Sequence, residues 1–365
     1  MRLNTKCTVF ALLGKSKKAW QKASAIIIHK FQKGTAIIMS HTLDLKDCTL
    51  CPRNCHANRA GGQKGYCGQT SEIAAARAAL HMWEEPCISG QAGSGTVFFS
   101  GCNMGCIFCQ NYPISKSMAG KKISPQRLEE IFFRLQEQKA CNINLVTPTH
   151  FIPQIRQALQ SAKSNGLTIP IVYNTSSYEK VEALKTLEGL IDIYLPDLKY
   201  FSPILSKKYS FAEDYFTHAS AAIKEMVRQT GKPLFIPQEL PSSKASGEAS
   251  NENKENDDYF GPLMKKGVIV RHLVLPGCIE DSKKILQYLY STYKNDIHVS
   301  IMNQYTPIPD FLDIHTYPEL NRPVFAKEYD TIVDYAISLG IENGFIQDGS
   351  AASESFIPAF DCYGI

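Results

Sequence analysis

The sequence predicts an α/β protein: a partial (βα)6 TIM-like barrel preceded by a small N-terminal cysteine-rich segment. Three observations carry this expectation. From Thr96 onward, short β-branched apolar runs alternate with amphipathic stretches, the form taken by repeated βα units around a parallel sheet. The chain has 365 residues, 44% of them hydrophobic and 20% charged, which is enough material for one large core with a smaller appendage. Most of its 12 cysteines fall into two tight groups, one before the first βα unit and one inside it.

Residues 1–40 form an N-terminal extension with eight Lys or Arg and no Asp or Glu, leaving the other 325 residues at −4. Lys15, Lys17, Lys18 and Lys22 flank two apolar runs, so the extension reads either as a targeting segment or as sequence ahead of a true start at Met39. Residues 41–95 are the cysteine-rich metal-binding segment, with turn-forming runs Cys51-Pro52-Arg53-Asn54 and Gly61-Gly62-Gln63. The barrel is expected over 96–347. Its strands should run from Thr96 to Ser100, Ile143 to Thr147, Ile169 to Tyr173, Ile191 to Leu195, Val268 to Leu275 and Ile297 to Met302. Two of the intervening helices are marked by apolar residues three and four apart: Leu128, Ile131, Phe132 and Leu135, then Ile285, Leu286, Leu289 and Tyr293. Ser124 followed by Pro125 is a helix start. Residues 242–258 carry only small and polar side chains and are expected to be a disordered insertion. A further helix is expected around Tyr329 to Leu339, then a short run from Gly344 to Gln347 and a tail over 348–365.

Composition excludes several classes. No apolar run approaches the roughly 18 residues of a membrane span. A slightly acidic body lacks the clustered cations of a phosphate-backbone binder, so no nucleic-acid partner is expected. Cysteines at metal-ligand spacing rather than in a disulfide framework point to a reducing compartment. The expected location is cytoplasmic, with organelle targeting by residues 1–40 left open.

Cys102, Cys106 and Cys109 make a C-x3-C-x2-C loop directly after the first barrel strand. Electron-transfer clusters ordinarily take four cysteines, so a triad suits a cubane with one iron left open to a substrate or cofactor. Chemistry in parallel βα barrels sits in the loops at the C-terminal ends of the strands, which is where this triad falls. Cys48, Cys51, Cys55 and Cys67 form a second group, C-x2-C-x3-C-x11-C. Four thiolates satisfy a tetrahedral zinc and equally a second iron-sulfur cluster, and the spacing does not choose between them. Cys87 could join either group; Cys7, Cys141, Cys278 and Cys362 read as ordinary free cysteines.

Motifs along the chain include Cys48-Thr-Leu-Cys-Pro-Arg-Asn-Cys55, Ala78-Ala-Leu-His-Met-Trp-Glu-Glu-Pro-Cys87, Gly95-Thr-Val-Phe-Phe-Ser-Gly-Cys102, Asn144-Leu-Val-Thr-Pro-Thr-His150, Pro196-Asp-Leu-Lys199 and Arg271-His-Leu-Val-Leu-Pro-Gly277. Met302-Asn-Gln-Tyr-Thr-Pro307 and Phe356-Ile-Pro-Ala-Phe-Asp361 complete the set. Over roughly residues 45–365, judged by these motifs, the sequence resembles the radical S-adenosylmethionine (radical SAM) enzymes, and within them the pyruvate formate-lyase activating enzyme-like group. The resemblance implies a 4Fe-4S cluster on the triad whose open iron is chelated by S-adenosylmethionine. One-electron reduction then yields methionine and a 5'-deoxyadenosyl radical that takes hydrogen from a substrate.

It also implies cofactor contacts. Phe108 matches the aromatic position near the adenine. The family's Gly-Gly-Glu-Pro-like stretch after the second strand is replaced here by Thr147-Pro148-Thr149-His150, which leaves the polar contacts to Thr147 and Thr149. Asp197 and Lys199 match an Asp-x-Lys pair whose Lys faces the cofactor carboxylate, and Asn174 and Ser176 are weaker candidates. Implied partners are a one-electron donor such as flavodoxin or ferredoxin and a substrate protein whose glycine would become a glycyl radical. The alternatives are a small-molecule or modified-residue substrate, or a zinc-stabilised binding protein without catalysis. Better-known activators of pyruvate formate-lyase lack the N-terminal cysteine group.

Overall fold

The computed structural model describes residues 43–238, 259–308, 312, 313, 315–347 and 357–365, all within one compact unit. The extension at 1–40, the insertion at 242–258 and the first part of the expected tail lie outside the described residues.

The chain begins with β1 (Ile73–His81), α1 (Pro86–Ser89), β2 (Ser94–Phe99), α2 (Tyr112–Ser115), β3 (Lys121–Ile123) and α3 (Pro125–Glu137). It continues through β4 (Ile143–Val146), α4 (Ile152–Ser164), β5 (Ile171–Thr175), α5 (Val181–Lys185), β6 (Ile193–Pro196), α6 (Pro203–Ser210) and α7 (Tyr215–Thr230). Next come β7 (Leu234–Ile236), β8 (Leu263–Leu273), α8 (Ile279–Tyr293), β9 (His298–Met302), α9 (Ala326–Leu339) and β10 (Gly344–Ile346).

The strands form one sheet in the order β10-β9-β8-β6-β5-β4-β2-β1-β3, with β7 paired to β8 off this path. From β2 to β10 every neighbour along the path is parallel. β1 and β3 add antiparallel pairings at the other end. The path runs from β10 to β3 without joining its ends, so the architecture is the expected partial TIM-like α/β barrel.

The parallel strands are apolar because both faces are covered: every residue of β2, β4, β5 and β6 is buried. Helices supply the outer layer. In α3 the predicted stripe of Leu128, Ile131, Phe132 and Leu135 is buried, and Ser124 caps the helix by accepting from the Arg127 N–H at 3.1 Å. In α8 the stripe Ile285, Leu286, Leu289 and Tyr293 is buried likewise.

Several details depart from expectation, among them β6, which starts at Ile193 rather than Ile191. β1 was not anticipated, because Ile-Ala-Ala-Ala-Arg-Ala-Ala-Leu-His is alanine-rich and carries little β propensity; pairing with β2 along its length makes it a strand. β5 starts two residues late, since Ile169 gives its N–H to Gln136 Oε1 and Pro170 has none to give. β8 begins at Leu263 rather than Val268, because its first part pairs with β7. Gly267 makes that extension possible: its φ is +139°, and a Cβ would lie 2.9 Å from Pro233 Cα. Finally, the short run at Gly344 pairs parallel with β9 and becomes a seventh parallel strand.

Candidate active site

β2 ends at Phe99 and delivers the cysteine loop at the C-terminal end of the parallel strands. Gly101 opens the loop at φ +90°, and a Cβ there would sit 2.5 Å from the Cys67 carbonyl oxygen, so only glycine lets the loop pass this close to the N-terminal segment. Each triad sulfur accepts a hydrogen bond. Met104 N–H donates to Cys102 Sγ at 3.3 Å, Ser210 Oγ to Cys106 Sγ at 3.0 Å and Ser115 Oγ to Cys109 Sγ at 3.3 Å. Burial pushes the Cys109 thiol up to about 12, with Cys106 and Cys102 adding to the rise. Burial raises Cys106 as well, opposed by the Lys199 ammonium.

The three cysteines line a cavity of about 240 Å³ whose wall also contains Phe108, Thr147, Asn174, Ser176, Asp197 and Lys199. Six stretches between residues 99 and 304 thus meet at one place, because strand ends of a parallel barrel converge there. Phe108 is buried, its ring edge-on to Tyr305 at 6.1 Å. Thr147 holds φ +59°, a costly conformation for a β-branched residue, and its N–H bonds the Asn174 carbonyl at 2.9 Å. Thr149 is the exception: it is not in the wall. It begins a 3-10 turn and is buried, donating its hydroxyl to Glu179 Oε1 at 2.6 Å. Glu179 also receives the hydroxyls of Thr175 and Tyr173, and burial, opposed by these three donors, raises its carboxyl to about 7.

Part of the wall belongs to a buried charge network that sequence reasoning only partly identified. Lys199 Nζ meets Asp197 Oδ2 at 2.7 Å, and Arg271 Nη2 meets Asp197 Oδ1 at 2.9 Å. Arg271 continues to Asn174 Oδ1 at 2.6 Å and Glu84 Oε2 at 3.3 Å. Glu84 Oε1 also accepts from Asn144 Nδ2 at 2.9 Å. Burial works against charge at each, but Lys199 and Arg271 hold the Asp197 carboxyl below its usual range. Asp197 and Cys106 in turn hold the Lys199 ammonium above its own. Burial raises Glu84, with Arg271 opposing. Arg271 and Glu84 were missed as site residues. The available signals were an Arg inside the otherwise apolar strand Val268 to Leu275 and a Glu-Glu pair ahead of Pro86.

The second cysteine group lies beside the triad loop. Cys48 and Cys67 are buried, Cys51 half-buried and Cys55 exposed. Cys55 and Cys67 flank Gly65, whose Cβ would lie 3.3 Å and 3.5 Å from their sulfurs. Arg59, fully buried, gives Nη1 to Cys48 Sγ at 3.7 Å and spends its other donors on the carbonyls of Gln69, Thr70 and His150. Burial pushes Cys51 up to about 12 and also raises Cys67, there opposed by Arg59. Cys87 belongs to neither group. It packs in a separate apolar cluster with Ile88, Val172, Ile193, Leu195, Met264 and Ile269.

Among the described residues, no three His, Cys, Asp or Glu side chains are gathered closely enough to hold a single metal ion. A tetrahedral zinc needs four ligand atoms within about 2.3 Å. A cubane attaches its thiolates at separate corners, and three thiols facing one cavity, each already hydrogen-bonded and with a lysine as counter-charge, fit that demand. No helix among the described residues is long and apolar enough to cross a membrane.

Residues 96–232 match the Radical SAM superfamily. The match implies a 4Fe-4S cluster and S-adenosylmethionine. Over 301 residues the chain is 27% identical to an uncharacterized protein of Methanocaldococcus jannaschii, covering 80% of this chain and 74% of that one. Among solved structures it is similar to SuiB of Streptococcus suis bound to precursor peptide SuiA, with TM-score 0.43 and 11% identity. That match covers 68% of this chain and 46% of SuiB. The FeFe-hydrogenase maturase HydG of Carboxydothermus hydrogenoformans gives 0.39 and 11%, covering 71% of this chain and 58% of HydG. Methylornithine synthase gives 0.35 and 14%, covering 67% and 68%. The chain thus spans about half the length of the first two of these structures.

Proposed function

We propose that this protein is a radical SAM enzyme acting on a partner protein, taking a hydrogen atom from a glycine of that protein, and that residues 96–347 form the catalytic barrel behind a metal-binding segment at 41–95. The observation that carries the reading is the meeting of Cys102, Cys106 and Cys109 with Phe108, Thr147, Asn174, Asp197 and Lys199 around one cavity. When bound, a 4Fe-4S cluster with S-adenosylmethionine supplies the one-electron sulfonium cleavage and the radical that removes hydrogen.

The chain's own residues hold and orient. The three thiols give up their protons to become ligands, and Lys199 offsets the resulting negative charge. The Lys199 ammonium, fixed by Asp197, is held ready for a carboxylate, and Phe108 offers an apolar face for an adenine. A partner protein as substrate is supported by a second cavity of about 600 Å³. It is lined by Met82, Trp83, Glu85 and Phe345 among others, and it shares Arg271, Met302 and Gln304 with the cysteine cavity. A peptide loop entering there reaches the triad from the side. The reductant is a small electron-transfer protein of the flavodoxin or ferredoxin kind. In the same reading the N-terminal cysteines take up a second metal centre, zinc or iron-sulfur, and for a single zinc ion their thiols would have to draw closer together than they stand in this structure.

The test is anaerobic reconstitution with iron and sulfide, reduction in the presence of S-adenosylmethionine, and measurement of 5'-deoxyadenosine and methionine. Stoichiometric formation of both is expected. Intact S-adenosylmethionine after reduction of a fully loaded protein defeats the reading.

A further inference from the structure

The two cysteine groups are joined by one side chain. Arg53 sits on the turn between Cys51 and Cys55, and its guanidinium leaves that turn to reach the triad loop. Its Nε donates to the Asn103 carbonyl at 2.7 Å and its Nη2 to the Met104 carbonyl at 2.7 Å. These carbonyls lie between Cys102 and Cys106. The same guanidinium turns its other edge to the end of α6, donating from Nη2 to the Ser210 carbonyl at 3.0 Å and from Nη1 to the Phe211 carbonyl. Ser210 is the residue whose hydroxyl holds Cys106 Sγ. The guanidinium carbon also lies over two rings, Tyr66 at 4.1 Å and Tyr178 at 5.0 Å from their centroids.

Few side chains suit this place. Four carbonyls on two separate segments lie in the reach of one planar fork, a pattern that a lysine's single ammonium does not reproduce. The carbonyls at the end of α6 are also the negative end of its helix dipole, so a cation there is favoured twice. The turn carrying Arg53 is itself pinned. Asn54 adopts φ +42°, its N–H bonds the Cys51 carbonyl at 3.1 Å, and Lys180 Nζ ties the turn to the barrel through the Thr49 carbonyl at 2.7 Å. Asn103 completes the link by donating to the Tyr178 carbonyl at 2.6 Å.

We infer that Arg53 is a positioning residue through which the N-terminal cysteine site sets the geometry of the Cys102–Cys109 loop. The inference rests on the reading above that this loop holds the cluster and that the N-terminal cysteines take up a metal. It gives the N-terminal metal a task other than electron relay: fixing the Cys51–Cys55 turn fixes the guanidinium, and the guanidinium fixes the loop backbone against α6. Metal loss at one site is thereby felt at the other without any shared ligand.

The test compares full-length protein with Arg53→Lys and Arg53→Gln. In metal-free protein, alkylation of Cys102, Cys106 and Cys109 by iodoacetamide is followed by mass spectrometry. In reconstituted protein, metal at the N-terminal site and the electron paramagnetic resonance spectrum of the reduced cluster are recorded with and without S-adenosylmethionine. Both variants should keep the N-terminal metal and a cooperative melt. Both should show triad alkylation faster by about fivefold or more, because local opening of the loop is no longer opposed. Both should also show a changed reduced-cluster spectrum. Should Arg53→Gln fail to fold, Arg53→Lys, which retains charge and stem, decides alone. Wild-type alkylation rates and spectra in the folded variants overturn the inference and leave the radical reading standing. Failure of the wild type to cleave S-adenosylmethionine defeats that reading, while the alkylation rates still judge Arg53.

Discussion

The two cysteine groups lie side by side and are built differently. The triad faces a cavity, has a hydrogen-bond donor for each sulfur, and has Lys199 as its counter-charge. The N-terminal group has Arg59 as its counter-charge, with that guanidinium's remaining donors spent on three main-chain carbonyls, and none of its four cysteines is in the wall of the triad's cavity. A lysine whose partner is one carboxylate is free to meet a second anion; an arginine committed to the backbone is not. Under the function proposed above, the difference means that one group is arranged to receive something and the other to fasten a segment.

The strongest way to break this comparison is to exchange the consequences. Cys106→Ala leaves two thiolates for a cubane that needs three, so reductive S-adenosylmethionine cleavage should fall to background while the N-terminal metal stays bound. Cys51→Ala should empty the N-terminal site and lower cleavage by roughly tenfold, the range seen when supporting groups of a metal site are removed. Metal analysis beside a cleavage assay reads both. Background cleavage in Cys51→Ala together with loss of iron from the triad would mean that the two sites are one unit.

The counter-charges offer a second test. Arg271→Met removes the cation shared by Asp197 and Glu84, which leaves buried Glu84 without its ion-pair partner and Asp197 with Lys199 alone, and should cost about 3–5 kcal/mol in urea unfolding. Arg59→Met leaves three carbonyls unmatched, a loss of about 3 kcal/mol, and should release N-terminal metal while the triad's iron is retained.

Acid is a gentler probe. His150, between Arg59 and the start of the cysteine loop, gives Nε2–H to the Ser100 carbonyl at 2.7 Å, and burial, aided by Arg59, lowers its pKa to about 3. His272, bonded to the Leu198 carbonyl and Ser282, is lowered by burial to about 4. Both are neutral bases in the fold with depressed pKa values. Their contribution to stability is therefore complete above the unfolded value of about 6.5 and is lost as pH falls through that value toward the folded ones. Between pH 7 and 5 each should cost about 2 kcal/mol, read from urea midpoints across pH, and His150→Gln should remove its share of the slope. The smallest expected effect belongs to Ser210→Ala. Loss of its bond to Cys106 Sγ should cost about 1 kcal/mol and alter the reduced-cluster spectrum, while the N-terminal metal is untouched.

Both cysteine groups, the alternation of strands and helices and the capped start of α3 were legible in the sequence, because each is a matter of spacing along the chain. Thr147, Asn174, Asp197 and Lys199 were legible as strand-end residues, and they do meet the triad's cavity. Thr149 was misread. Two residues beyond the strand the chain enters a 3-10 turn, and the buried carboxylate of Glu179, which needs donors, takes its hydroxyl. β1 was missed because alanines acquire a strand conformation only from the neighbour they pair with.

By itself, then, the sequence determined that this chain has two cysteine groups of different spacing and a parallel barrel whose first strand leads into one of them. Thiol spacing and apolar periodicity are local properties that survive without a fold. Only the tertiary structure decided what surrounds them. Glu84, Asp197 and Arg271 become one network, and Arg53 reaches Met104 and Ser210, through strand register and helix placement across gaps of 50 to more than 180 residues. Buried charges must find partners wherever the packed backbone brings them, and that choice is made in space rather than along the chain.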